Sequence, residues 1–268
     1  MTLRAAFLDQ ATHCEALGSP FMGQLLRALA EDWQENSLLG QYFSGFRGDI
    51  GPGGASLPLR LAGGLHALVL SDRAPALAAL YPPQTVAESD VRDTINLALV
   101  EHEPFLLRWC QSPPQTNEVR RSAVLIPAAH HIAAHHTRPF VLSELGASAG
   151  LNLMFDQFAL VAGTQRYGPQ DPALLLRPDW TGPAPETAES SVTERRGVDL
   201  NPLDAHNASD ALRLTAYLWP DQPHRMELTR AAIAVQDAII DKDDAVDWLE
   251  HRLATAPAGH THLIYHTV

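Results

Sequence analysis

The sequence predicts an α/β protein in which a parallel sheet follows an all-helical region. Three observations predict it. The stretch 1–137 carries apolar stripes at helical spacing and no convincing strand pattern. At Arg138-Pro139 the character changes to short apolar runs bounded by glycine and proline. From there to the end, such runs alternate with helical segments, the pattern of strands joined by crossover helices. The expected division is a helical cap region over 1–137 and a sheet domain over 138–268.

The elements follow in order. Phe21, Leu25, Leu29 and Trp33 recur every four residues, and Pro20 stands at a first helical position after Ser19. Val91, Ile95, Ala98 and Leu99 form another stripe. Pro104 interrupts it and starts a short helix through Trp109. A third helix is predicted over about 117–136, with Pro127 as a kink and Asn117 as its cap. Glycine and proline clusters at 48–58 and 81–83 mark loops. Phe140 to Leu145 has the length and flanks of a buried strand. Further strands are predicted at 192–200, 238–241 and 262–266, with helices at 208–218, 226–238 and 246–253. Between 156 and 190, Gly163, Gly168, Pro169, Pro172, Pro178 and Pro183 predict a loop or hairpin insertion on the sheet. An open doubly wound sheet continues past a fourth strand, so a chain truncated at its carboxyl end is the expectation.

Composition narrows the function classes. Of 268 residues, 46% are hydrophobic and 19% charged, which excludes disorder as the main state. Nineteen basic residues against 31 acidic ones leave a net charge of −12. That field repels phosphate backbones and anionic membranes, so neither a nucleic acid nor a membrane is expected as partner. The longest apolar stretch, 61–70, is far short of the roughly 20 residues that span a bilayer. Cys14 and Cys110 alone build neither a disulfide framework nor a cysteine zinc site. The opening MTLRAAFLDQ has no apolar signal core, and a cytoplasmic location is the expectation.

The strand at Phe140 runs into Glu144-Leu145-Gly146-Ala147-Ser148-Ala149-Gly150-Leu151-Asn152-Leu153. A strand, a glycine turn and a helix together mark where an α/β sheet binds its ligand. Glycine lets the backbone turn sharply, and the helix start offers free N–H groups. Glu144, two residues before the first glycine, suits a cationic or zwitterionic ligand and repels a pyrophosphate. S-adenosylmethionine, whose methionine end carries an ammonium, is such a ligand. The next predicted strand ends in Gly197-Val198-Asp199-Leu200-Asn201-Pro202. An aspartate there accepts hydrogen bonds from ribose hydroxyls. Glu144 and Asp199 are 55 residues apart, against about 20 in the usual arrangement. The Gly/Pro-rich insertion accounts for the excess.

Taken in order, Glu144-x-Gly146-x-x-x-Gly150, Gly197-Val198-Asp199-x-Asn201-Pro202 and Asp244-Ala245 resemble the Class I S-adenosylmethionine-dependent methyltransferases over about Phe140 to Val268. The resemblance implies a Rossmann-like, methyltransferase-type sheet. It also implies that Glu144 holds the ammonium of S-adenosylmethionine, and that Gly146, Ala147, Ser148, Gly150 and Asn152 form the cofactor loop. Asp199 and Asn201 would meet the ribose, and Asp243 or Asp244 the adenine amino group. Asp244 is preferred because Ala245 follows it. Ser148 departs from the pattern, since that loop usually has a second glycine there. A closer resemblance covers nearly the whole chain. Pro58-Leu59-Arg60-Leu61-Ala62-Gly63-Gly64-Leu65-His66, Gln115-Thr116-Asn117-Glu118-Val119-Arg120-Arg121-Ser122-Ala123 and Glu144 to Leu153 look like the bacterial domain-of-unknown-function family numbered 2332. That resemblance implies a helical region ahead of a methyltransferase-like fold, with members continuing past the position of Val268. It implies a cofactor class and no particular reaction. A small-molecule acceptor is expected. Asn117, Glu118 and Arg120 are candidates for its cleft, and His266, at the end of the last strand, for a substrate contact or base. The helical region would serve as the lid.

The rival chemistry lies in the same residues. Gly146-Ala147-Ser148-Ala149-Gly150 is a literal G-x-S-x-G, the nucleophile elbow of serine hydrolases, with Ser148 as nucleophile. The helical stretch upstream, the lack of an HGGG-type oxyanion loop and the unexplained Glu144 count against it. A third reading keeps the fold as a non-catalytic ligand-binding protein. His131 and His135 stand at i, i+4, a spacing that can hold a metal from one helix face. No glutamate fills the H-E-x-x-H position. The reading preferred here is a histidine-rich helix end that suits the helix dipole, with no metal.

Overall fold

The computed structural model describes residues 2–189 and 191–267. Contacts divide the chain into two units, Met1–Thr116 with Leu212–His224, and Asn117–Ala211 with Arg225–Val268. Among the described residues no helix is long and apolar enough to cross a membrane.

The first unit is helical. It contains α1 (Leu3–Ala16), α2 (Pro20–Glu31), α3 (Leu38–Ser44), α4 (Leu57–Leu70), α5 (Pro75–Ala78), α6 (Glu88–Glu101) and α7 (Glu103–Cys110). The expected stripe of α2 is buried through Phe21, Leu25 and Leu29. Ser19 caps it, its hydroxyl accepting from the Met22 amide at 3.4 Å, with Pro20 at the first position. Pro104 opens α7, as expected. The core gathers Phe7, Leu26, Leu61, Leu65 and Leu106, all fully buried. Two polar side chains of α4 are buried with them, and both find carbonyls. Arg60 donates to Ala55 at 2.8 Å and to Cys110 at 3.0 Å. His66 Nδ1 lies 3.1 Å from the Ala216 carbonyl.

The second unit opens with a 3-10 turn at Val119–Arg121 and α8 (Ser122–His135), which carries Pro127 inside it. Then come β1 (Phe140–Leu145), β2 (Ala159–Ala162), β3 (Gln165–Tyr167), β4 (Leu175–Leu176), β5 (Val192–Asp199), α9 (Ala208–Ala216), α10 (Pro223–Val235), β6 (Ile239–Lys242), α11 (Ala245–Ala254) and β7 (Thr261–His266). Helices α9 and α10 cross between the two units along the chain. Four strands form one parallel sheet in the order β6-β5-β1-β7. This is the predicted mixed α/β architecture. β1 is central and apolar apart from Ser143 and Glu144, as suits a strand covered on both faces. The chain leaves β1 toward β5 and β6, and returns to the other side of β1 as β7. The direction of winding therefore reverses between β1 and β7, a point where α/β sheets bind ligands at their carboxyl ends. The insertion makes a small sheet of its own, β3-β2-β4, with β2 and β3 as an antiparallel hairpin.

Arg252 of α11 ties the helix to the sheet. It donates to Ser143 Oγ at 3.0 Å and to the Leu142 carbonyl at 3.4 Å, and it pairs with Glu194. His262 Nε2 meets the same Ser143 hydroxyl at 2.8 Å. Burial, and then the Arg252 charge, hold the His262 imidazole below its usual pKa.

The helix expected after the glycine turn is a 3-10 helix, Leu151–Gln157. Gly150 enters it in the left-handed conformation, and the Leu153 amide bonds back three residues to Gly150 at 3.1 Å. Asn117 does not cap the helix that follows it. Glu118 does so, accepting from the Arg120 amide at 3.1 Å, and Asn117 Oδ1 instead accepts from the Leu151 amide at 2.8 Å.

Candidate functional site

The site is built on the last residues of β1. Strand alternation sends Ser143 toward Arg252 and Glu144 to the other face. Glu144 is 0% exposed. Its Oε1 accepts from the Thr267 hydroxyl at 2.9 Å, while Oε2 is buried with no hydrogen-bond partner among the described residues. Burial pushes its carboxyl up to about 8, against the Thr267 hydrogen bond and the Arg121 charge, which pull it down. A carboxyl oxygen buried without a donor costs free energy, and holding the proton is how the group answers it.

The loop beyond turns through three left-handed residues, Gly146 at φ 67°, Ser148 at 53° and Gly150 at 71°. Glycine takes such angles freely, and a serine is strained there. Ser148 thus holds a glycine conformation at the position where the sequence departs from the glycine pattern. Asp199, at the end of β5, clamps the loop. Its Oδ2 accepts from the Ser148 amide at 2.9 Å and its Oδ1 from the Asn201 amide at 2.8 Å. The loop can lie on β5 because residue 197 is glycine. A Cβ there would stand 2.6 Å from the Ala147 Cβ. Further amides are used internally. Ala147 donates to Val198 O at 3.0 Å, Gly150 to Ala147 O at 2.7 Å, and Leu151 to Asn117 as above.

Asn152 is fully buried in the 3-10 segment. Its Oδ1 accepts from Ser122 Oγ at 2.8 Å, and its Nδ2 has no hydrogen-bond partner among the described residues. Tyr265, paired with Glu144 across β1 and β7, donates to the Asn152 carbonyl at 3.4 Å. Burial, and then the Glu144 charge, hold the Tyr265 hydroxyl well above its usual pKa.

The other expected residues fall as follows. Asp243 and Asp244 lie just beyond β6, both exposed. Asp244 caps α11, accepting from the Val246 amide at 2.8 Å through one of its two oxygens. The Asp243 amide reaches the Asp199 carbonyl at 3.3 Å, which joins that turn to the end of β5. Glu118 binds Arg120 at 3.0 Å and also pairs with Arg225. Burial raises the Glu118 carboxyl, but the Arg120 hydrogen bonds and the Arg225 charge outweigh it and hold it below the usual range. His266 is exposed at the end of β7, paired with Leu145. Glu144, Ser148, Asn152 and Asp199 thus converge on one strand end. Sequence reasoning missed Thr267 and Tyr265. The period-two pattern points to both, since they flank His266 on the face that Glu144 shares with its partner Tyr265.

A separate cavity of about 650 Å3 is lined by Ile126, His130, Phe155, Asp156, Tyr167 and Val192 among others, and shares no residue with the Gly146–Gly150 loop.

The chain belongs to the family described as "Uncharacterized protein conserved in bacteria (DUF2332)", whose model matches residues 4–268. This is the family that the strings at Pro58, Gln115 and Glu144 resemble. No curated protein and no solved structure matches the chain.

Proposed function

We propose that the sheet unit binds S-adenosylmethionine at the carboxyl ends of β1 and β5, and that the protein is a methyltransferase acting on a small-molecule acceptor. The observation that carries the reading is the buried, unpartnered Oε2 of Glu144. A carboxylate held this way lacks a cationic donor, and a ligand ammonium is one. The loop supports the same ligand charge. The amides of Ala147, Ser148, Gly150 and Leu151 are already bonded within the protein. A phosphate site needs such amides pointing outward. Carboxylates at both strand ends repel a pyrophosphate as well, so the donor set fits a ligand that is cationic at one end and carries hydroxyls at the other.

In this reading Glu144 takes the ammonium, and Thr267 turns aside to admit it. The exchange of one hydroxyl donor for a cation ionises Glu144. Asp199 uses its remaining lone pairs for the ribose hydroxyls and keeps the loop in register while doing so. Asp244, anchored as the α11 cap, is the candidate for the adenine amino group. The bound sulfonium supplies an already activated methyl group, so what the chain adds is alignment and exclusion of water. The strand order β6-β5-β1-β7, with its reversal beside Glu144, supports a Rossmann-like site.

The test is calorimetric titration of the full chain with S-adenosylmethionine. Wild type should bind, and Glu144→Gln should weaken binding about a hundredfold, as loss of a buried charge partner costs at least ~3 kcal/mol. No heat and no thermal shift for wild type sinks the reading. The Ser148 hydrolase reading draws on the same loop, because a strained serine on a sharp turn also suits a nucleophile. Labelling by a fluorophosphonate probe that vanishes in Ser148→Ala would favour it. Binding without methyl transfer across a broad acceptor panel would favour the non-catalytic alternative.

A further inference from the structure

We propose that His131, His135 and Glu186 form a site for a first-row divalent transition cation, zinc foremost, which staples the proline-rich insertion to α8. One ligating atom from each of these side chains lies within 4.8 Å of the others. Glu186 Oε1 is 3.9 Å from His131 Nδ1 and 3.6 Å from His135 Nδ1. Tetrahedral zinc with bonds near 2.1 Å needs ligand atoms about 3.4 Å apart. Small turns of exposed side chains close that difference, and all three are exposed.

The site is more than a chance meeting of surface groups, because the carboxylate sits on a backbone anchored on both sides. The Tyr167 hydroxyl donates to the Pro185 carbonyl, immediately before Glu186. The Ala188 amide donates to His130 Nδ1 at 3.3 Å, two residues after it. His130 in turn lies on α8 beside His131, and its ring packs against Tyr167 with centroids 5.1 Å apart. The insertion thus presents Glu186 to the i, i+4 histidine pair from a fixed position, and less ordering is left for the metal to do. His135 Nδ1 is also 2.9 Å from the His131 carbonyl. That nitrogen is also the one facing Glu186, so ligating the cation through it exchanges the carbonyl contact for a bond to the metal.

The ligand set decides the cation. Two imidazoles and one carboxylate suit zinc, nickel, cobalt or copper, whereas magnesium and calcium prefer oxygen alone. Exposure leaves room for water to complete the coordination. Glu186, from another segment of the chain, supplies the third ligand.

The experiment titrates full-length protein, free of any histidine tag, with zinc chloride in a calorimeter and follows thermal unfolding with and without zinc. Wild type should bind one zinc per chain and unfold at a higher temperature with it. Glu186→Gln and His135→Ala should each weaken binding about tenfold or more and abolish the thermal shift. Cobalt(II) should give visible absorption that both variants lose. His136→Ala, at an exposed histidine of the same helix end outside the triad, should bind as wild type. Three results would overturn the proposal: no zinc binding by wild type, unchanged binding by Glu186→Gln, or equal weakening by His136→Ala. The last would mark a diffuse histidine patch. None of these readouts involves S-adenosylmethionine, so the two proposals fail separately.

Discussion

Arg60 in the helical unit and Glu144 in the sheet unit are both buried charged side chains, 7% and 0% exposed. Their surroundings treat them in opposite ways. Arg60 is met by the carbonyls of Ala55 and Cys110, so the fold alone satisfies it. Glu144 is met by one hydroxyl on one oxygen, while the other oxygen has no hydrogen-bond partner among the described residues. Burial of the first kind serves the structure. Burial of the second kind leaves an oxygen that the described residues do not satisfy, and the proposed ligand ammonium would satisfy it.

The sharpest way to test that contrast is to damage each region and follow stability against pH. Leu61→Ala empties a fully buried position of the helical core and should cost about 2–5 kcal/mol in urea unfolding. It should leave the pH dependence as it was, and a changed slope would break the comparison. Glu144 should dominate that slope. Its carboxyl is raised in the folded state from 4.5 to about 8, so the folded protein binds the proton more tightly than the unfolded chain. Its contribution is therefore fully present below pH 4.5 and is lost as pH rises to about 8, at no more than roughly 1.4 kcal/mol per pH unit. Glu144→Gln should flatten the curve and be more stable than wild type at pH 8. An unaltered slope in the variant would show that the proton sits elsewhere.

Smaller effects sharpen the picture of the loop. Asn117→Ala leaves the buried Leu151 amide without its acceptor and should cost about 1–3 kcal/mol. The expected signature is faster amide exchange at Leu151 and Asn152, with the helical unit unchanged. Ser148→Gly relieves a left-handed serine and should raise stability by about 1 kcal/mol or less, seen as a small rise in Tm. A loss of stability would mean that the serine side chain contributes more than its backbone strain costs.

Much of this was legible in the sequence because it is local. Pro139 and Gly146 bracket β1 closely, and Ser19 with Pro20 announces α2. Acid at the ends of β1 and β5 could be read from spacing, since strand ends carry the ligand contacts of α/β sheets. Three features could not be read, and all three depend on distant partners. Asn117 looks like a helix cap because asparagine favours caps, but its partner amide is 34 residues away in sequence. Thr267 falls on the right face by alternation, but its bond to Glu144 depends on the pairing of β7 with β1 from a residue 123 positions away. Glu186 lies in a proline-rich stretch whose path is set by Tyr167, earlier in the insertion, and by His130 on α8.

The route of the chain has a consequence for heredity and for manufacture. The segment Leu212–His224 returns to the helical unit after the first sheet strands have been made. It brings Tyr217, whose ring occupies the space a side chain at residue 63 would need, 2.5 Å from where a Cβ would stand. A gene cut after Thr116 would therefore encode helices with a notch along α4 and no ring to fill it. Neither half can be shuffled onto another protein as one uninterrupted exon, and a ribosome making this protein completes the helical half only after it has begun the other.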